Sequence, residues 1–360
     1  MKLAVVCDDL IQSGGQEKLV EVVCEMYPEA TLYASVISRK WGNKLAKKGI
    51  EHRTSFLQGF PFVEKLYRYY SPFFLHVFAF QSFNFDEFDT VLSISSRYAH
   101  HINTKPTTRH VCYMNSPGRM FWEPHAYFEL ERSGTLGAIN IPLSFLRLVD
   151  YVAAQRVDVF VPNAKTPQAR IKKYYGLDSR VTYPFVDYDF FANEKPEDGG
   201  YFLIITRLSA WKRVNLAVEA CKKLNLPLKV IGEGPDKGRL QKLGGDHVQF
   251  LGYVSDLEKM DLLKNCRAVI NTQFEDFGIV PLEAMACGKP VIAFGKGGVL
   301  ETVVEGKTGE FFGEQKVSSL TGVLKDFNPA KYSSEVCRRQ AKKFEKAVFT
   351  RKISELLNGV

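Results

Sequence analysis

Short apolar runs closed by Gly, Pro or polar turn residues recur along this chain, and stretches with helical spacing lie between them. The clearest run is Ala268-Val269-Ile270-Asn271-Thr272, apolar until its polar end, as in a parallel strand buried on both faces. A turn with one Gly follows. A helix is then predicted over Leu282 to Cys287, with Pro281 in its first turn, where the missing N–H costs nothing. Gly288-Lys289-Pro290 is a stop signal, and Val291-Ile292-Ala293-Phe294 reads as the next strand. The turn therefore lies at the carboxyl end of a strand, where open α/β sheets bind ligands.

The same alternation runs through both halves. Lys2 to Asp8 reads as a strand, and Ser13 with Gln16 as a capping box. The helix from Gln16 to Tyr27 carries Leu19, Val22, Val23 and Met26 on one face. Strands are predicted over 88–96, 110–114 and 157–164. The helix Lys165 to Tyr175 ends at Gly176. Residues 181–187 read as extended, and the polar stretch Glu194 to Gly200 as a hinge. Strands over 201–206, 228–231 and 248–254 then precede the central motif, and basic amphipathic helices fill 334–357.

Composition narrows the class. The chain has 360 residues, ordinary apolar and charged content and a net charge of +8. The run Leu3-Ala4-Val5-Val6-Cys7 is too short for a leader, and no apolar run approaches a membrane span of about 20 residues. The seven cysteines are scattered, with no metal-binding spacing, as in a reducing cytoplasm. The charge suits an anionic substrate or membrane surface. No motif for nucleic acid accompanies it.

Candidate chemistry centres on the turn after Thr272. Glu275 leaves the strand end and Glu283 sits in the first helical turn. Free N–H groups near Phe277, Gly278 and Ile279 can hold an anion at the positive helix end. Carboxylates beside such a site suit sugar hydroxyls rather than phosphate. The pair therefore fits a ligand with a diphosphate in the middle and a sugar at each end. Arg207 and Lys212, across a strand-to-helix turn, can converge on one phosphate. Gly14 and Gly15 let a ligand approach a helix start or simply make a tight turn. His100 and His101 point different ways, so at most one of them faces a ligand.

The stretch EDFGIVPLEAMACGKPVIA, continuing into Gly297-Gly298-Val299-Leu300-Glu301-Thr302-Val303 and Gly306-Lys307-Thr308-Gly309, resembles the donor motif of family 4 retaining glycosyltransferases. The resemblance implies an α/β fold of two Rossmann-like domains facing each other across a cleft (GT-B). The expected divisions are 1–183 on the acceptor side, 184–345 for the nucleotide sugar, and a helix over 346–360 returning to the first domain. It also implies that Glu275 contacts the transferred sugar and Glu283 the ribose. By the same resemblance Gly14 and Gly15 face the diphosphate, and Arg207 and Lys212 clamp it. Backbone near Val254 cradles the base, and Glu233 in the Gly232-Glu233-Gly234 turn joins the donor set. The segment Asn115-Ser116-Pro117-Gly118-Arg119 resembles a His-Ser-Pro-x-Arg segment of the mannosyltransferase-like branch. Asn115 stands for the His; it cannot carry a proton but can bond a sugar hydroxyl. Asn115, Arg119 and His100, the last near a family Lys, are the acceptor-side candidates, with a structural His100 as the alternative.

The implied activity is transfer of a hexose from a nucleotide-diphosphate sugar, GDP-mannose first and a UDP-hexose second. The acceptor is a saccharide or lipid-linked saccharide. Neither a cofactor nor a metal is expected; Arg207, Lys212 and the helix starts take the leaving-group charge, with Glu275 at the sugar. Other readings are an epimerase or hydrolase on this fold, a non-catalytic nucleotide-sugar binder, or a metal-dependent enzyme using Asp187 and Asp189. Residues 56–85 are crowded with Phe and Tyr beside Lys65 and Arg68. Phe62, Leu66, Tyr69, Tyr70 and Phe73 fall near one helical face, and Ser71-Pro72 reads as a restart between two short helices. Core packing accounts for part of this region. The remainder suits peripheral contact with the cytoplasmic face of a membrane.

Overall fold

A computed structural model describes residues 1–12, 14–67, 75–124, 136–193 and 195–359. Contacts divide the chain into two compact units, Met1–Tyr183 with Thr350–Val360, and Pro184–Phe349.

The first unit holds strands β1 (Leu3–Cys7), β2 (Thr31–Ala34), β3 (His52–Thr54), β4 (Thr90–Ser95), β5 (Arg109–Met114) and β6 (Val159–Pro162). Its helices are α1 (Gly15–Met26), α2 (Arg39–Lys47), α3 (Val63–Leu66), α4 (Leu75–Gln81), α5 (Arg119–Trp122), α6 (Leu136–Ala154) and α7 (Lys165–Tyr175). The strands are all parallel, in the order β3-β2-β1-β4-β5-β6. Alternation sends Ala4, Val6, Val91, Cys112, Met114 and Phe160 to the layer built by α4, α6 and α7. On the opposite face Leu92, Val111, Tyr113 and Val161 meet Ile353, Leu356 and Leu357. Those three lie on the last helix of the chain, whose end is held by Arg109 Nη1 donating to the Leu356 carbonyl at 2.8 Å.

The second unit repeats the design with β7 (Phe202–Ile205), β8 (Leu228–Ile231), β9 (Val248–Gly252), β10 (Ala268–Asn271), β11 (Val291–Phe294) and β12 (Gly309–Phe312). The order is β12-β11-β10-β7-β8-β9, again all parallel. Its helices are α8 (Tyr188–Ala192), α9 (Val214–Leu224), α10 (Lys237–Gly244), α11 (Asp256–Asn265), α12 (Ile279–Ala286), α13 (Val299–Thr302), α14 (Val317–Asp326) and α15 (Ser334–Lys342). The final helix α16 (Lys346–Asn358) begins in this unit and ends in the first. Each sheet has the doubly wound order whose reversal leaves a crevice at the strand ends, between β1 and β4 and between β7 and β10. Those crevices fix where ligand-binding turns must lie.

One expectation changes. Residues 195–200 of the polar stretch expected as a hinge do not form one. Glu197 and Gly199 donate their N–H groups to the carbonyls of Lys264 and Asn265, and Lys289 Nζ bonds the Glu197 carbonyl, so this stretch is part of the second unit. A helical turn, α8, forms where Asp187 and Asp189 stand, with Asp187 at its N-cap position. Of the two short helices in 56–85, the structure shows a 3-10 turn (Phe56–Gly59), α3 and α4. Tyr69, Tyr70, Ser71, Pro72 and Phe73, on which the helical face and the restart rested, lie outside the described residues. Ser13 of the expected capping box lies outside them too, and α1 starts from Gly14 without a side-chain cap.

Candidate functional site

In the second unit the β7 and β10 ends carry the main candidates. β10 ends at Asn271, and Thr272 Oγ1 donates to the Lys212 carbonyl at 2.8 Å, fixing the turn after β7 against the turn after β10. Lys212 Nζ then reaches Glu275 Oε1 at 2.5 Å, with only 11% and 19% of the two side chains exposed. Lys212 also lies 4.1 Å over the Trp211 ring. Arg207, five residues earlier, is exposed and makes no ion pair or side-chain hydrogen bond among the described residues. Its segment is held by Gly234, which passes so close to Leu208 that an added Cβ would sit 2.1 Å from the Leu208 carbonyl oxygen. Glu233 of the same turn forms an ion pair with Lys237 at 2.7 Å.

The turn between the two glutamates is clamped from behind. Gly298 N–H donates to the Glu275 carbonyl at 2.9 Å, and a Cβ on Gly298 would meet the Phe277 Cα at 2.2 Å. This close approach explains why Gly297-Gly298 accompanies the motif. Gly278 is the N-cap of α12 with φ of 88°, and Glu275 Oε2 lies 3.1 Å from where its Cβ would be. The Glu275 carboxylate therefore hangs over the start of α12, between the helix end and Lys212. Phe277 is buried, and Ile279 opens the helix. Glu283, one turn further on, is 6% exposed and pairs with Lys259 at 2.9 Å.

Lys259 is a residue that the sequence did not single out. It comes from α11, whose start is fixed by a capping box between Ser255 and Glu258, directly after Val254. Burial opposes its charge, but Glu283 and Asp256 outweigh burial and raise its pKa. Ser255-x-x-Glu258 was the available signal: it places α11, and Lys259 follows it by one residue.

In the first unit the ends of four neighbouring strands carry a polar row: Asp8 after β1, Ser96 after β4, Asn115 after β5 and Asn163 after β6. Asp8 accepts backbone N–H bonds from Ser96 at 2.6 Å, Tyr98 at 2.7 Å and Ala99 at 2.8 Å. Gln16 Oε1 accepts from Ser96 Oγ at 2.5 Å and from Asn115 Nδ2 at 3.4 Å, and Asn163 Nδ2 donates to Asn115 Oδ1 at 3.1 Å. Asn115 is thus the middle of a network rather than an isolated contact. Asp8, Gln16, Ser96 and Asn163 were missed because each is a lone polar residue at a strand or helix end. Beside the row, Glu17 Oε2 lies 3.0 Å from where a Gly14 Cβ would be. Burial, with help from Asp9, pushes the Glu17 carboxyl up to about 7.

His100 is placed differently from the acceptor-side expectation. His100 is fully buried, its Nδ1 2.9 Å from Ser95 Oγ and its Nε2 3.1 Å from Asp150. It has no surface to offer an acceptor; the structural alternative is the one found. Asp150 also accepts from Trp122 Nε1 at 2.6 Å and Tyr175 OH at 2.7 Å, and His101 Nε2 stands 2.9 Å from it. Burial and His100 hold the His101 pKa down to about 4. His100, His101 and Asp150 have the composition of a metal site. Two of the Asp150 bonds, however, already come from Trp and Tyr donors. Arg119 is partly exposed and bonded to Glu123 at 3.3 Å, which Arg170 also grips at 2.7 Å.

Residues 186–344 match the model of the family described as glycosyl transferases group 1. The chain carries a group 1 glycosyl transferase domain. That domain contains Arg207, Lys212, Lys259, Glu275 and Glu283. Curated relatives include the alpha-1,3/1,6-mannosyltransferase ALG2 of Dictyostelium discoideum, 38% identical over 143 residues, 32% of this chain and 34% of that protein. The Candida glabrata protein of the same name is 27% identical over 54% of this chain and 53% of its own length. The chain thus spans about a third to a half of these relatives. Among solved structures, Anabaena HepE in complex with UDP superposes with a TM-score of 0.71 over 100% of both chains at 18% identity. The lipopolysaccharide outer core galactosyltransferase WaaB gives 0.70 over 100% and 99% at 16% identity. These likenesses show the fold of the whole chain, two Rossmann-like domains of the GT-B type.

Proposed function

We propose that this protein is a retaining glycosyltransferase that moves a hexose from a nucleotide-diphosphate sugar to a saccharide or lipid-linked saccharide. The carrying observation is the group built on one turn: Lys212 paired with Glu275 over the start of α12, with Glu283 one turn along. Arg207 and Lys212 take the charge that grows on the departing diphosphate, helped by the N–H groups of the α12 start. Glu275 accepts from the transferred sugar and Glu283 from the ribose. Val254 and the start of α11 flank the base. In the reaction the bond between the anomeric carbon and the phosphate oxygen breaks. The acceptor oxygen bonds to that carbon on the same face, and the acceptor proton passes to a phosphate oxygen. Fixed cationic side chains replace a divalent metal, so transfer persists in a chelator.

The proposed donor is GDP-mannose, because the named relatives are mannosyltransferases and the Ser116-Pro117-x-Arg119 segment resembles that branch. A UDP-hexose is the second reading, favoured by UDP and UDP-glucose in the Anabaena structures. Calorimetric titration decides: GDP binding tighter than UDP supports the first, and the reverse order the second. Mass spectrometry of products from a nucleotide-sugar panel tests the activity itself. An isomerised donor, or free sugar released with every acceptor, would replace transfer by epimerisation or hydrolysis. No helix among the described residues is long and apolar enough to cross a membrane. The proposal places the enzyme on the cytoplasmic face, touching the membrane through residues 56–85, where Phe56 and Phe62 are exposed.

A further inference from the structure

From Pro142 to Ala154 helix α6 is apolar on both of its sides, and one side is buried while the other is exposed. Leu143, Leu146, Ala153 and Ala154 face the sheet and are buried. Phe145, Leu148, Tyr151 and Val152 recur at spacings of three and four on the other side and are 58%, 59%, 42% and 50% exposed. The charged residues between Pro142 and Ala154 do not relieve this face. Asp150 is buried, and Arg147 Nε donates to the Phe121 carbonyl. A solvated helix presents charge outward, and α6 does not.

The neighbouring helices extend the surface. Helix α4 lies in the same layer, since Val77 and Phe80 share the core cluster of Leu143 and Leu146, and its Phe78 is 55% exposed. On the other flank, Gln155 Nε2 donates to the Tyr175 carbonyl at 3.1 Å and Tyr175 OH to Asp150, so the last turns of α6 and α7 lie side by side. That turn of α7 carries Lys172 and Lys173, both exposed. Lys172 is shared with Asp178, while Lys173 has no ion pair among the described residues.

We propose that this outer layer of the first unit docks on an anionic lipid surface. Phe145, Leu148, Tyr151 and Val152 enter the headgroup boundary, and Lys172 and Lys173 lie over the anionic headgroups. An uncharged aliphatic and aromatic face with a basic edge matches such a boundary in both polarity and sign of charge. The inference deepens the membrane contact proposed above and gives it a surface other than residues 56–85. It rests on that reading only for its biological setting, because vesicle binding needs neither donor nor acceptor.

The test is flotation of the full chain with vesicles of mixed phosphatidylglycerol and phosphatidylcholine, and with phosphatidylcholine alone. The wild type should float with the mixed vesicles. Phe145→Ser with Leu148→Ser should weaken binding about a hundredfold, since each large apolar side chain buried is worth roughly tenfold. Both positions are exposed in the free protein, so thermal melting should be unchanged. Lys173→Glu, a second variant at an exposed position, should lower binding several-fold to mixed vesicles only. Phe56→Ser with Phe62→Ser separates the two surfaces. If that pair abolishes flotation and the α6 pair does not, residues 56–85 make the contact and the α6 proposal fails. A wild type that never floats also overturns it. So does a dimer in light scattering that the α6 pair dissociates, because the face would then belong to a second copy.

Discussion

Lys212 Nζ and Glu275 Oε1 stand 2.5 Å apart, so the cation expected at the phosphate and the carboxylate expected at the sugar hold each other. The pair pre-positions both groups, because neither has to be recruited from solvent. It also means that neither can be removed without leaving the other largely buried.

Lys212→Ala should therefore lower stability as well as turnover. Breaking a buried pair costs about 3–5 kcal/mol, and the partial exposure here brings the expected loss to about 1–3 kcal/mol. Thermal melting would show a fall of several degrees. A variant melting with the wild type would mean that the pair contributes nothing to the fold.

Arg207→Ala should separate function from stability. Its side chain has no ion pair or side-chain hydrogen bond among the described residues, so stability should change by less than about 0.5 kcal/mol. Turnover should fall about 100-fold or more if the guanidinium acts on the developing diphosphate charge. Steady-state kinetics beside a melting curve reads both. Unchanged kcat would remove Arg207 from the site.

The Lys259–Glu283 pair is 14% and 8% exposed and should be measurable in a double-mutant cycle. Glu283→Ala should weaken nucleoside diphosphate binding in calorimetry. Lys259→Met should lower stability at neutral pH and weaken the same binding. The Lys259 pKa is raised in the folded state, so its stabilisation is full below the unfolded lysine range and is lost as pH rises through the folded pKa. The stability gap between wild type and Lys259→Met should then close only in strong alkali. A gap that closes near neutrality would contradict the pairing.

Glu17 predicts a slope of the same sign in a lower pH window. Its carboxyl is raised to about 7, against 4.5 for an ordinary Glu, so the folded state binds the proton more tightly than the unfolded. Stability from this group falls as pH rises between those values and is flat above them. Glu17→Gln should therefore melt higher than wild type at pH 8 and together with it near pH 4. Parallel melting curves across that range would show that Glu17 is solvated.

The order of strands and helices was legible in the residues themselves, since Ala268 to Thr272 and Val291 to Phe294 are apolar at both parities and bounded by Gly and Pro. So was the family, because EDFGIVPLEAMACGKPVIA joins chemistry and turn geometry in one local stretch. The positions of Arg207, Lys212, Glu275 and Glu283 follow from local rules, each lying in a turn or first helical turn at a strand end. Tertiary structure alone decided their partners. Lys212 is 63 residues from Glu275 and Lys259 is 24 from Glu283, and no periodicity reports a pairing made when β7 and α11 pack beside β10 and α12. Burial of His100 was equally hidden, because a histidine facing a ligand and one satisfied by Asp150, 50 residues away, occupy the same place in a sequence pattern. The exposed side of α6 is the converse. Only the packed layer shows that Leu143 and Leu146 of α6 are buried while Phe145 and Leu148 are exposed, because a helix apolar all round cannot say which of its faces the fold has covered.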